Sequence, residues 1–215
     1  MASTGWVARI LAKLAALDVL PADEATSHEI DEHERNIREF YGMFLNPKAT
    51  DAEIDEFERQ HQVRLPADFR AFVTKIGNGG YGPGSEFEGL WPFQYSAPGW
   101  LGGSLCRPFP LAEPPAGLER WPPVPVTEET VKHYRNGLLV LSPYGCGIHA
   151  CLVVCGARHG EVWIDDFANG EVILPAQDSW VVSPPASGGG PSFADWYEGW
   201  LDQELERWGR REQSA

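Results

Sequence analysis

Apolar residues recur at helical spacing from the first segment onward. Trp6, Val7, Ile10, Leu11, Leu14 and Leu17 share one face of a predicted helix over residues 6–17. Ile30, His33, Ile37, Phe40, Tyr41 and Phe44 repeat the pattern over 29–44, with Pro21 between the two and Pro47 closing the section. Residues 1–47 therefore read as an N-terminal helical extension that packs on the main body or on itself. In the next stretch, ATDAEIDEFERQHQVRLPADFRAFVTKIGNGG, Thr50 and Glu53 form a capping box in which each side chain serves backbone N–H groups at a helix start. Ile54 and Phe57 supply that helix's apolar stripe. A second helix is expected from Leu65, with Pro66 in its first turn, where a missing N–H costs nothing. Phe69, Phe72, Val73 and Ile76 follow at helical spacing, and Gly77 suits a left-handed residue beyond the helix end.

The periodicity then changes. Residues 81–126 are rich in Pro, Gly and Trp and predict short strands and long loops, EFEGLWPF among them. TEETVKHYRNG, from Thr127, reads as a short helix. LLVLS, HACLVVC and EVWIDD are strand candidates, and Asn169-Gly170 turns the chain into EVILP. Ser192 with Asp195 caps a last helix carrying Phe193, Trp196, Trp200, Leu201, Leu205 and Trp208, with 207–215 as a polar tail.

Composition narrows the function classes. The 215 residues hold 43% apolar residues, nine Trp and ten Phe, enough for a sizeable core without metal or disulfide support. The formal charge is −14, from 31 acids against 17 bases. Nucleic acid is disfavoured, because binding it requires cations that neutralise phosphate; an anionic membrane is disfavoured for the same reason. A basic partner would be steered toward such a surface. Arg9 and Lys13 interrupt the apolar start, no clean signal peptide emerges, and a reduced, cytoplasmic protein is expected.

GCGIHACLVVC, residues 145–155, carries three of the four cysteines and a histidine. On a strand at ~3.3 Å per residue, Cys151 and Cys155 stand about 13 Å apart and His149 and Cys155 about 20 Å. One zinc ion needs donors within about 2.0–2.3 Å, and a disulfide needs Cα atoms within about 7 Å. The stretch therefore predicts a core strand in which cysteine acts as a small hydrophobe. A reactive thiol at Cys146 is the alternative. GNGGYG, residues 77–82, matches G-x-G-x-x-G in letters only: it follows a helix rather than a strand, and its glycines suit a chain reversal. Asp165 and Asp166 are adjacent on a strand and point to opposite faces, so they do not converge as a catalytic pair. No metal and no cofactor is expected.

The order FERQHQVRLP, ADFRAFVTKIGNGG, YGPG, GLWPF, RPFPLAEP, GCG, LVVCG, EVWIDD and SFADWYEGWLDQEL resembles the SUKH superfamily of Smi/Knr-type cell-wall-regulator-like domains, over about residues 48–206. The resemblance implies an α+β fold, a mostly antiparallel sheet with helices packed around it. It also implies a binding module with no catalytic residues: an immunity protein of the bacterial branch that neutralises a cognate polymorphic toxin, or a regulatory scaffold for a cellular protein. A Cys/His-dependent enzyme using Cys146, His149 and Asp165 is the remaining alternative. If the partner is a basic toxin domain, two places combine carboxylates with aromatics: Glu86, Glu88, Trp91 and Trp100 in the loops, and Trp163, Asp165 and Asp166 at a strand end.

Overall fold

The computed structural model describes residues 3–21, 43–84, 89–96, 101–111, 125–169, 172–176 and 189–212. The first apolar stripe forms helix α1 (Ser3–Ala16), which buries Trp6, Val7, Ile10 and Leu14. The helix expected over 29–44 lies almost wholly outside the described residues. Its last apolar residue, Phe44, belongs instead to strand β2 (Phe44–Leu45), which pairs in parallel with β1 (Leu20–Pro21).

Helix α2 (Asp51–His61) begins at the expected capping box. Thr50 accepts from the Glu53 N–H, and the Glu53 carboxylate accepts from the Thr50 N–H at 2.7 Å. Helix α3 (Ala67–Lys75) starts two residues later than expected, because Pro66 sits at the N-cap with extended backbone. Gly77 does not adopt the left-handed conformation expected of it. Glycine is favoured there by space: a Cβ would lie 3.0 Å from both the Asn46 carbonyl oxygen and the Leu45 Cβ, tighter than ordinary van der Waals contact. The left-handed residues are Gly79 and Gly80. Gly80 bridges Leu45 on one side and Leu90 on the other, and a Cβ on it would meet the Phe44 carbonyl at 2.3 Å. The glycine run thus lets three backbones meet.

The main sheet is antiparallel in the order β3 (Leu138–Gly145), β4 (Ile148–Val153), β5 (Val162–Asp166) and β6 (Val172–Pro175). Its strands are apolar on both faces because both faces are covered. Leu139, Leu141, Ala150, Leu152 and Val162 face the layer of α1, α2, α3 and the last helix, α5 (Phe193–Glu212). Leu138, Val140, Cys151, Val153, Trp163 and Ile173 face Phe109, Leu111 and helix α4 (Glu128–Tyr134). The described residues form an α+β fold of helices packed on a four-stranded antiparallel sheet. The described residues of EFEGLWPF, 89–93, carry an isolated bridge at Leu90 and lead into a 3-10 turn, Phe93–Ser96, rather than a strand; residues 86–88 lie outside the described residues. Helix α5 runs to Glu212, into the stretch expected as a tail.

Two helix junctions rest on polar contacts. Ser192 caps α5 by accepting from the Asp195 N–H while its hydroxyl donates to the Asp195 carboxylate, and Asp68 of α3 accepts from the α5 Ala194 N–H at 3.0 Å. Tyr197, fully buried, donates to the Tyr81 carbonyl at 2.7 Å. Glu198 on α5 binds Arg9 and Lys13 of α1 at 2.8 and 3.0 Å.

Candidate functional site

The strand-end candidates are placed by β5, an interior strand. Side chains alternate along it, so Trp163 and Asp165 share one face with Phe167 two residues on. That face is covered, and Trp163 and Asp165 are both 0% exposed. The Trp163 ring meets Phe109 edge to face at 4.9 Å, and its N–H donates to Glu161 at 3.2 Å. Asp165 receives Arg135 through two N–H groups at 2.7 and 3.2 Å and the Phe167 N–H at 3.1 Å. Arg135, the residue that ends α4, also donates to the Leu101 carbonyl and lies 5.6 Å from the Phe167 ring centroid. The expectation that Trp163 and Asp165 present themselves to a partner is therefore corrected: one fills the core and the other ties α4 to the sheet. Asp166 points the other way and stays half-exposed, accepting from Asn169 at 2.9 Å.

Glu86, Glu88 and Trp100 of the loop group lie outside the described residues. Trp91 is half-buried at the outer edge of β3, where its backbone N–H donates to the Leu141 carbonyl at 2.7 Å and its ring lies 6.3 Å from that of His149. Four residues on, Tyr95 is 69% exposed. Phe93 between them is buried against Phe57, with ring centroids 5.0 Å apart. A buried Phe93 anchors this turn and leaves Tyr95 outside. Tyr95 was not singled out from the sequence; the available signal was its place in an aromatic-rich loop two positions after a core aromatic.

A second residue missed is Glu58. It is buried on α2 and accepts the Leu65 N–H at 2.8 Å, with Arg64 at 2.8 Å and Arg70 at 3.4 Å beside it. Arg70 also reaches Asp51 and Asp55, each at 2.8 Å. The acidic helix and the basic residue after Leu65-Pro66 thus form a structural clamp between α2 and α3.

The cysteine-rich stretch separates into distinct environments. Cys151 is fully buried between Val140 and Trp163, and burial pushes its thiol pKa well up. Cys146 is exposed on the β3–β4 turn at φ 50°. His149 is the cross-strand neighbour of Asp165, but that carboxylate is held by Arg135 and the Phe167 N–H. Among the described residues, no three His, Cys, Asp or Glu side chains converge to hold a metal ion. A cleft of about 560 Å³ opens between the 102–107 loop and α4, lined by Ser104, Arg107, Glu128, Lys132, His133 and Asn136. Its charges are mixed in sign, and Lys132 pairs with Glu128. No helix among the described residues is long and apolar enough to cross a membrane.

An antiparallel sheet covered on both faces by helices and loops defines an α+β domain. The chain belongs to the SMI1 / KNR4 family (SUKH-1), which it matches over residues 48–182. That family includes immunity proteins and is generally non-enzymatic. Comparison with curated proteins and with solved structures gives no match.

Proposed function

We propose that this protein is an immunity protein that binds a cognate polymorphic toxin domain stoichiometrically and blocks it without chemistry of its own. Membership of the SUKH-1 family carries the reading. The charge of −14 supports a basic partner, since a cationic cleft that handles nucleic acid or nucleotides is one that an acidic protein can occupy. Within this reading the contact surface lies in the 86–100 stretch of sequence, with Trp91 and Tyr95 as aromatic anchors, Glu86, Glu88 and Trp100 as further candidates from the same stretch, and Asp166 as a separate acidic position. Buried aromatic anchors supply most of the affinity of such interfaces, while charges set association rate and partner choice.

Co-expression in a bacterial host tests this. A cognate toxin domain, sought among the genes neighbouring this one, is expected to arrest growth alone and to be tolerated when this chain is present, with the two copurifying. Continued arrest in the presence of soluble chain contradicts the reading.

A further inference from the structure

We propose that Cys106 and Cys155 form a thiol pair that a small-molecule disulfide of the glutathione class closes into an intramolecular disulfide, stapling the 101–111 segment to the end of β4. Cys155 follows β4 by two residues, and its thiol donates to the backbone carbonyl of Cys106 at 3.4 Å across a sequence separation of 49. Backbone bonds hold the two segments together. The Phe109 N–H donates to the Cys155 carbonyl at 2.9 Å, and the Gly137 N–H donates to the Ser104 carbonyl at 2.9 Å. Glycines permit this approach: a Cβ on Gly137 would lie 2.6 Å from the Cys155 carbonyl, and one on Gly156 would lie 3.0 Å from the Phe109 nitrogen. The Cys106 sulfur touches the Ser104 hydroxyl at 3.3 Å, a weak contact that closure replaces.

The exposures assign the roles. Cys106 is exposed and is the attacking group, whereas Cys155 is half-buried, and burial, with Cys106 nearby, raises its pKa. The Cys106 thiolate attacks one sulfur of glutathione disulfide, and the S–S bond breaks to release a glutathione thiolate that takes up a proton. The Cys155 thiolate then attacks the Cys106 sulfur and releases the second glutathione. Two protein thiols are oxidised and one glutathione disulfide is reduced to two thiols. Cys146, exposed, and Cys151, fully buried, serve as internal controls in the same chain.

The test is incubation of the full-length chain with glutathione disulfide, followed by non-reducing peptide mapping and thermal unfolding. The expected map shows a 106–155 disulfide, with glutathione retained on Cys146 and Cys151 free. Closing a loop of this length is expected to raise the unfolding midpoint by about 5–15 °C. Cys155→Ala is expected to keep glutathione on Cys106 and to lose the shift. Glutathione retained on Cys106 in the unmodified chain, a different pairing, or a 106–155 bond with no rise in the midpoint would overturn the proposal. Each of these readouts is independent of whether a toxin binds.

Discussion

Asp165 sits at zero exposure with its carboxylate satisfied by Arg135 and the Phe167 N–H. Removing one partner leaves the other charge buried and alone, so Asp165→Ala is expected to cost about 3–5 kcal/mol. Urea denaturation measures this, and an unchanged midpoint would show that the pair does not hold α4 to the sheet. Cys151→Ala leaves a smaller void and is expected to cost about 1–2 kcal/mol. The same denaturation series checks it, and a toxin titration should find binding intact. The alternation of Asp165 and Asp166 was legible from strand geometry. Which of the two faces inward was not, because it depends on an arginine 30 residues upstream. Glu58 escaped the sequence reading for a similar reason: its acceptor role depends on a backbone N–H seven residues on, beyond the reach of local capping patterns.

At the scale of elements, signals that operate within a few residues were readable. The capping pairs Thr50/Glu53 and Ser192/Asp195 each span three residues, and both form. Thr50→Ala is expected to cost about 1 kcal/mol by freeing a helix-start N–H; an unchanged urea midpoint would argue against the box contributing. The apolar strands were equally readable, since burial on both faces leaves an almost unbroken apolar run. The docking of α1 on α5 was not, because Arg9 and Glu198 are 189 residues apart. There, hydrogen bonding from Arg9, then Lys13, lowers the Glu198 pKa from its usual 4.5 to about 2. A depressed carboxylate pKa stabilises the folded chain fully above about pH 4.5, and the benefit is lost as pH falls toward 2. The stability advantage of the natural chain over Glu198→Gln should therefore be present at about pH 6 and vanish by about pH 2–3. An advantage that does not change with pH would contradict the pairing.

For the whole molecule, the proposed complex draws on a sheet covered on both faces, which points recognition to the periphery, and on a net charge of −14, which favours a basic partner. Tyr95→Ala is expected to speed dissociation of the toxin complex about tenfold. Reversing Glu86, Glu88 and Asp166 to Lys should instead slow association and flatten its salt dependence. Stopped-flow kinetics separates the two, and no change in either rate constant would place the interface elsewhere. The family was legible because its most recognisable markers lie in one contiguous run, from the α2 acids through Leu65-Pro66 to the glycines that let three backbones meet, with the later markers following in order along the chain. The contact surface was less so, since Tyr95 is distinguished from Phe93 only by which ring finds Phe57. The most direct measurement is titration of the purified toxin's activity with this chain. Activity is expected to fall linearly to zero at one chain per toxin. Activity that persists in excess chain, or that disappears at far less than one equivalent as turnover by an enzyme would produce, contradicts it.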